Sequence, residues 1–300
     1  MVTRGIDDVR LDPSEFRLLR DLFNAHAGLH FGPDARPILE RRLRERLAVH
    51  HLTSFSAYYQ RFFQNGGQAE LDEAIELVAV HETYFFREEY QLTALKNEIL
   101  PMLLSDTSSR SRISIWSAGC STGEEVYSIA IAAREMALQS GREIRIFGSD
   151  ISRRCLAAAR RGVYGTSAFR ATPPDIRRRY FIDRPDGAHV SDEIRSMCSF
   201  GQLNLLDTSR TAIVGRVDVI FCRNVLIYFD DTSRRRVIET FYERLSPGGF
   251  LLLGHSESLL NISTAFELVH LRDDLVYRKP LTVVRLDSSA EGYGSPRSGP

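Results

Sequence analysis

The segment Ile113–Ile131, ISIWSAGCSTGEEVYSIAI, admits few folds. A β-branched apolar run (Ile113, Ile115, then Trp116) stops at a small-residue turn, Ser117–Gly123. Glu124 and Glu125 follow, and Val126, Ile129, Ala130 and Ala133 then recur at helical spacing. Strand, glycine turn and helix together hold nucleotide-like ligands, between the end of a strand and the N-terminus of a helix. A glycine such as Gly119 is needed there because a Cβ would block the approach of ligand to backbone. The acids are unusual. Two carboxylates in the first turn would repel a phosphate, whereas an ammonium, a sulfonium or ribose hydroxyls would tolerate or want them. The segment has neither the Gly-Lys-Ser/Thr ending of a phosphate loop nor a full G-x-G-x-x-G. The helix dipole is reason enough for one of the acids and less convincing for both.

The surroundings fit an α/β protein with an added helical domain. Residues 12–104 carry helical periodicity and almost no strand signal, starting from Asp12-Pro13-Ser14-Glu15, a capped start with proline at the first helical position. Amphipathic segments follow near Arg36–Val49, Ser54–Gln64, Ala69–Val80 and Glu88–Leu104. After a Ser/Arg-rich connector, Ser105–Arg112, strands alternate with helices. Strands are expected at Arg112–Trp116, Ile144–Gly148, Cys198–Leu203, Val217–Cys222, Phe250–Gly254 and Leu275–Arg278. Helices are expected at Glu124–Gln139, Ser152–Arg161 and Asp231–Leu245, which implies a mostly parallel sheet covered on both faces. The expected division is a helical domain with an interdomain helix over 1–104, an α/β domain over 105–284, and a disordered tail over 285–300. A polar insertion near 165–197 contains Arg184-Pro185-Asp186-Gly187, a hairpin signal.

Composition narrows the function classes. Lys+Arg and Asp+Glu balance at 39 each, so no global field argues for nucleic acid or a membrane surface. The four cysteines (Cys120, Cys155, Cys198, Cys222) show no C-x-x-C pairing, which points to thiols in a reducing cytoplasm rather than a metal site or a disulfide framework. The first residues lack a leader-like apolar run, and no later run approaches a membrane span.

Ligands in open α/β sheets bind at the carboxyl ends of the strands, and polar residues cluster there. Asp150 ends the second expected strand, where a carboxylate can accept both ribose hydroxyls of an adenosine; capping the next helix is its other reading. Asn204-Leu205 follows the third, where the amide and backbone groups could read an adenine edge, or simply form an Asx turn. Arg223 and Asn224 interrupt the apolar run at the end of the fourth, and Tyr228 brings a hydroxyl.

Four motifs, in order, resemble the CheR family of chemotaxis glutamate methyltransferases: His81-Glu-Thr-Tyr-Phe-Phe-Arg-Glu88, Trp116–Glu125, Phe221–Asp230 and Gly254-His-Ser-Glu257. The resemblance runs from about residue 12 to 280. It implies a Rossmann-like fold dependent on S-adenosylmethionine (SAM), with a small helical N-terminal domain and a β-hairpin insertion. It also implies methyl transfer to glutamates on chemoreceptor cytoplasmic helices, leaving S-adenosylhomocysteine. Cofactor contacts are implied for His81, Thr83, Arg87, Glu125, Asp150, Asn204, Leu205, Arg223 and Asn224, with Gly119 in the turn. The family usually has Asn where this chain has His81, and imidazole offers fewer hydrogen-bonding groups than an amide.

A glutamate carboxylate, with its pKa of about 4.3, is already ionised at neutral pH, so no general base is required. Alignment and exclusion of water are then the protein's task. Arg87 is the expected clamp for the substrate carboxylate, with an ion pair to Glu124 or Glu125 as its alternative. Tyr228 is a second clamp, with core packing the alternative. Five arginines, Arg36, Arg41, Arg42, Arg44 and Arg46, share the segment Ala35–Val49, whose buried face is expected from Ile38, Leu39, Leu43 and Leu47. A basic helix on a neutral chain suggests an anionic docking partner, here the receptor helices. The short Arg184–Ile194 hairpin predicts weak or no tethering to a receptor C-terminal peptide. The expected protein is a cytoplasmic monomer. Competing readings are a nicotinamide oxidoreductase, which the Glu124-Glu125 pair opposes, a catalytically silent SAM-binding docking or sensor module, and a methyltransferase for another carboxylate substrate.

Overall fold

The computed structural model describes residues 9–105 and 112–281. Most of the expected connector and the whole expected tail lie outside the described residues. Helix α1 (Pro13–Ala27) begins in a reciprocal capping box: the Asp12 carboxylate accepts the amides of Ser14 and Glu15, and Glu15 accepts that of Asp12 at 3.1 Å. With α2 (Arg36–Val49), α3 (Phe55–Arg61) and α4 (Gly67–Val78) it encloses a core that includes Phe16, Leu19, Phe23, Leu39, Leu43, Leu47, Phe55 and Ile75. Ile38, expected on the buried face, is 46% exposed. One residue along a helix is a rotation of about 100°, which carries it off the Leu39–Leu43–Leu47 seam.

One polar cluster is sealed into this bundle. The Glu70 carboxylate, 4% exposed, accepts from both Arg46 Nε (2.8 Å) and Nη2, from Tyr58 Oη (2.6 Å), and pairs with His50 Nε2 (2.6 Å). Although burial opposes its charge, these partners hold the carboxyl at about 2, well below its usual range.

After α4 an irregular strap, residues 79–88, leads into α5 (Glu89–Ala94), a π-helical turn (Leu95–Ile99) and α6 (Leu100–Ser105). Leu92, Leu95, Ile99 and Leu100 pack with Ile115, Ile129 and Ile146 of the α/β domain. The stretch that the sequence assigns to the helical half as an interdomain helix is therefore part of the sheet's cover.

The main sheet has seven strands. Five are parallel: β1 (Arg112–Ala118) and β2 (Glu143–Asp150) early in the domain, then β6 (Cys198–Gln202), β7 (Val217–Cys222) and β8 (Leu245–Leu253). The hairpin β9 (Glu267–His270) and β10 (Leu275–Arg278) adds antiparallel strands, giving the order β6-β2-β1-β7-β8-β10-β9. The sequence pattern misses β9, whose ELVH run is short and mostly exposed. The insertion holds the other three strands as a small antiparallel sheet, β3 (Val163–Tyr164), β4 (Phe181–Arg184) and β5 (Gly187–Val190), in the order β3-β5-β4. Helices α7 (Glu124–Ser140), α8 (Arg153–Arg161), α9 (Pro174–Tyr180), α10 (Asp192–Arg195), α11 (Thr208–Thr211) and α12 (Asp231–Arg244) complete the domain.

The two domains meet through specific bonds at the carboxyl end of the sheet. Buried Glu76 on α4 accepts the Ser152 hydroxyl and the Arg153 amide at the start of α8. His30 donates its amide to the Tyr228 carbonyl at 2.7 Å, and Asn24 reaches Asp230 at 3.0 Å. These bonds close one side of a cleft.

Candidate active site

The cleft lies over the carboxyl ends of β1, β2, β6 and β7 and opens to solvent at its mouth. His81, Thr83, Arg87, Gly119, Glu125, Asp150, Asn204, Leu205, Arg223, Asn224 and Tyr228 all line it. Five separate sequence regions, three of them within the motifs, thus converge on one site. The sequence reading misses the helical domain's share of the wall, Ala27 and Leu29 at the end of α1 and Ala79 after α4. Nothing in an amphipathic helix pattern marks those end residues as facing a second domain.

The β1–α7 turn explains its own composition. Gly119 has φ 79°, and a Cβ there would meet Val225 Cγ2 at 2.5 Å, so the position takes glycine on both counts. The two acids that follow diverge. Glu124 points away from the cleft, accepts the Thr122 hydroxyl at 2.6 Å, and is buried, which raises its carboxyl. Glu125 faces inward, accepts the Ser117 hydroxyl at 2.7 Å and pairs with Arg223 Nε at 3.1 Å. Burial raises its carboxyl too, with Arg223 opposing. One acid therefore serves the turn and the other serves the cleft.

Asp150 receives the amides of Ser121 (2.8 Å) and Ser152 (2.9 Å), one on each oxygen. Burial raises its carboxyl, and these two amides pull it back. The α8 cap belongs to Ser152, whose hydroxyl accepts the Cys155 amide at 3.0 Å, so Asp150 is not the N-cap. Asn204 forms the Asx turn that was its other reading while still lining the cleft. Its Oδ1 accepts the Leu206 amide at 3.0 Å in an Asx turn, and its Nδ2 donates to the His26 carbonyl at 2.6 Å. Each amide atom has one partner in these bonds, so Nδ2 keeps a second hydrogen and Oδ1 a second lone pair. The imidazole of His81 reaches back to the Glu76 carbonyl at 3.4 Å, while its own carbonyl accepts the Ser121 hydroxyl at 2.9 Å.

Arg223 is nearly fully buried, between Glu125 and Glu88. Its Nη2 donates to the Arg87 carbonyl, but among the described residues its Nη1 has no hydrogen-bond partner, and neither has Glu88 Oε2. A buried guanidinium donor left open beside a cleft is a standing demand for an acceptor. Arg87 pairs with neither Glu124 nor Glu125; among the described residues its guanidinium donates to the Glu82 carbonyl at 3.1 Å and lies 5.7 Å from the Tyr84 ring. Tyr228 also lines the cleft, half-buried, and burial raises its hydroxyl, which keeps it protonated as a donor. Four residues in the left-handed region, Phe86, Glu88, Ser121 and Asn224, flank or line the cleft, a concentration of backbone strain typical of functional sites.

The basic helix is largely spoken for, which corrects the expectation that all five arginines are free for a partner. Arg46 is locked to Glu70, and Arg44 pairs with Glu40 at 2.6 Å. Arg42 donates to the carbonyls of Val78 and Ala79 at 2.8 and 3.1 Å, where the strap leaves α4. Arg36 touches only the Leu11 carbonyl at 3.3 Å and is exposed; Arg41 is exposed and, among the described residues, without a partner. Helical spacing alone does not tell an arginine on a free face from one turned toward a neighbouring helix.

Comparison with known proteins covers both domains. A family model described as "CheR methyltransferase, SAM binding domain" matches residues 81–274, and "CheR methyltransferase, all-alpha domain" matches residues 14–79. The chain is 38% identical over 278 residues to "Chemotaxis protein methyltransferase 2" of Vibrio cholerae, covering 92% of this chain and 96% of that one. It is 34% identical to "Chemotaxis protein methyltransferase 1" of Pseudomonas aeruginosa (88% of this chain, 97% of that one) and 31% identical to the "Chemotaxis protein methyltransferase" of Vibrio parahaemolyticus (90% and 98%). Among the described residues no helix is long and apolar enough to cross a membrane.

Proposed function

The chain belongs to the CheR methyltransferase family, and from that premise we propose that it methylates glutamate side chains on chemoreceptor cytoplasmic helices. The product would be a glutamate methyl ester, with S-adenosylhomocysteine released. The observation that carries this reading is the pairing of an open, buried arginine donor inside the cleft with Arg87 and Tyr228 on its walls.

The residues present fit SAM. Asp150 offers carboxylate oxygens where ribose hydroxyls belong, and Arg223 Nη1 offers its unpartnered donor to the amino-acid carboxylate. Glu125 supplies an acceptor and negative charge toward the ligand's ammonium and sulfonium. Bound SAM supplies an electrophilic methyl group, whose bond to sulfur breaks with the electron pair left on sulfur as an oxygen–methyl bond forms. The chain's own groups do the rest. Arg87 draws the anionic glutamate to the mouth of the cleft, and the protonated Tyr228 hydroxyl orients it by donating a hydrogen bond. No proton need be removed, because the carboxylate arrives ionised. Leu205, Val225 and Phe229 line the cleft with apolar surface that excludes water. Receptor docking falls to Arg41 and Arg36, the exposed cations of α2. The four-residue strands of the β4–β5 hairpin support the reading that peptide tethering is weak.

The test is methyl transfer from labelled SAM to a purified receptor cytoplasmic domain. Base-labile label on glutamates is expected, with Arg87→Ala lowering turnover far more than the melting temperature. Label absent from glutamates, or an Arg87→Ala variant that methylates normally, would overturn the reading.

A further inference from the structure

Glu257, the last residue of the fourth motif, is not among the cleft-lining residues, yet it organises the loop that presents Asn224 and Tyr228. Its Oε2 accepts the amides of Gly254 (2.7 Å) and Asn224 (2.8 Å), and its Oε1 accepts those of Val225 (2.9 Å) and Ile227 (3.2 Å). One carboxylate thus ties the end of β8 to the loop running from Arg223 to Tyr228. That loop does not hold its shape by propensity. Asn224 sits at φ 58°, and the amides of residues 224, 225 and 227 lie outside any strand ladder and take Glu257 as their acceptor. Packing leaves no slack, since a Cβ on Gly254 would lie 2.8 Å from the Asn224 nitrogen. Arg223 has its own anchors in Glu125 and the Arg87 carbonyl, so the clamp acts downstream of it, on Asn224, Val225 and the turn carrying Tyr228.

We propose that Glu257 is a positioning residue for methyl transfer, setting the Tyr228 hydroxyl against the reacting carboxylate by holding the amides of residues 224, 225 and 227. The inference rests on the reading of Tyr228 given above. A carboxylate is suited to this because it only accepts, and charged acceptors make the stronger hydrogen bonds. Glu257→Gln keeps the shape but turns an amide donor toward donors.

The experiment is a double-mutant cycle of Glu257→Gln with Tyr228→Phe, reading kcat and KM for a receptor domain and S-adenosylhomocysteine affinity by calorimetry. Displacement of a reacting group by about 1 Å can cost roughly 100-fold. A fall of that order in kcat is expected for Glu257→Gln, with ligand affinity changed less than about threefold. In the Tyr228→Phe background the same change should cost little more, because its target is gone. If Tyr228→Phe is impaired and the two losses multiply, Glu257 is merely structural. If Tyr228→Phe keeps the full rate, the assignment of Tyr228 and this inference fall together. Should Glu257→Gln fail to fold, hydrogen exchange on the unaltered protein decides: protected Asn224 and Val225 amides are expected, and fast exchange there refutes the clamp.

Discussion

Glu70→Gln isolates what the buried cluster of the helical domain contributes. The Glu70 carboxyl falls from 4.5 to about 2 on folding. A shift of that size corresponds to roughly 3 kcal/mol, at about 1.4 kcal/mol per unit. Removing one partner of a buried ion pair costs about 3–5 kcal/mol by an independent route, so the two figures agree. Because the folded chain binds this proton more weakly than the unfolded one, the stabilisation is complete above the unfolded value and drains as pH falls from 4.5 toward 2. At pH 3 about 2 kcal/mol of it should already be gone. Urea unfolding of both proteins at pH 7 and at lower pH measures this directly: the gap should be about 3 kcal/mol at pH 7 and shrink below pH 4.5. A gap under about 1 kcal/mol at pH 7, or one that does not change with pH, would refute the argument. The result also bears on docking. Arg46→Glu would set a second carboxylate against Glu70, so weakened methylation in that variant would report a damaged fold.

Asp150→Ala should weaken S-adenosylhomocysteine binding by more than about 100-fold in calorimetry, as two hydrogen bonds to a charged acceptor at roughly 1.5–3 kcal/mol each are lost. It should also lower the melting temperature, since the Ser121 and Ser152 amides lose their acceptor; unchanged affinity would remove Asp150 from the ribose site. Reversing Arg36 and Arg41 to Glu should raise KM for a receptor domain and flatten its salt dependence without altering S-adenosylhomocysteine affinity. Kinetics indifferent to both reversals would exclude electrostatic docking by α2.

Local order alone made much of this protein legible. The Asp12 capping box, the extents of β7 and β10, and the strand–turn–helix of residues 113–131 depend on neighbours within a few residues, so sequence determines them directly. Asp150, Asn204, Arg223 and Asn224 stood out for a related reason, because polar groups at the carboxyl ends of apolar strands have few structural uses, whereas His81, Thr83 and Arg87 on the strap came only from the family resemblance. What the tertiary structure decided is which partner each polar group takes. Glu124 and Glu125 are adjacent and chemically alike, yet a rotation of about 100° sends one to the turn and the other to Arg223. Asn204 spends its amide on His26, a residue 178 positions away. Arg46 faces Glu70 across two helices, and Glu257 gathers amides 30 to 33 residues distant. Hydrogen bonds and ion pairs act over a few ångströms in space, and periodicity along the chain carries no record of which distant groups packing brings within that range.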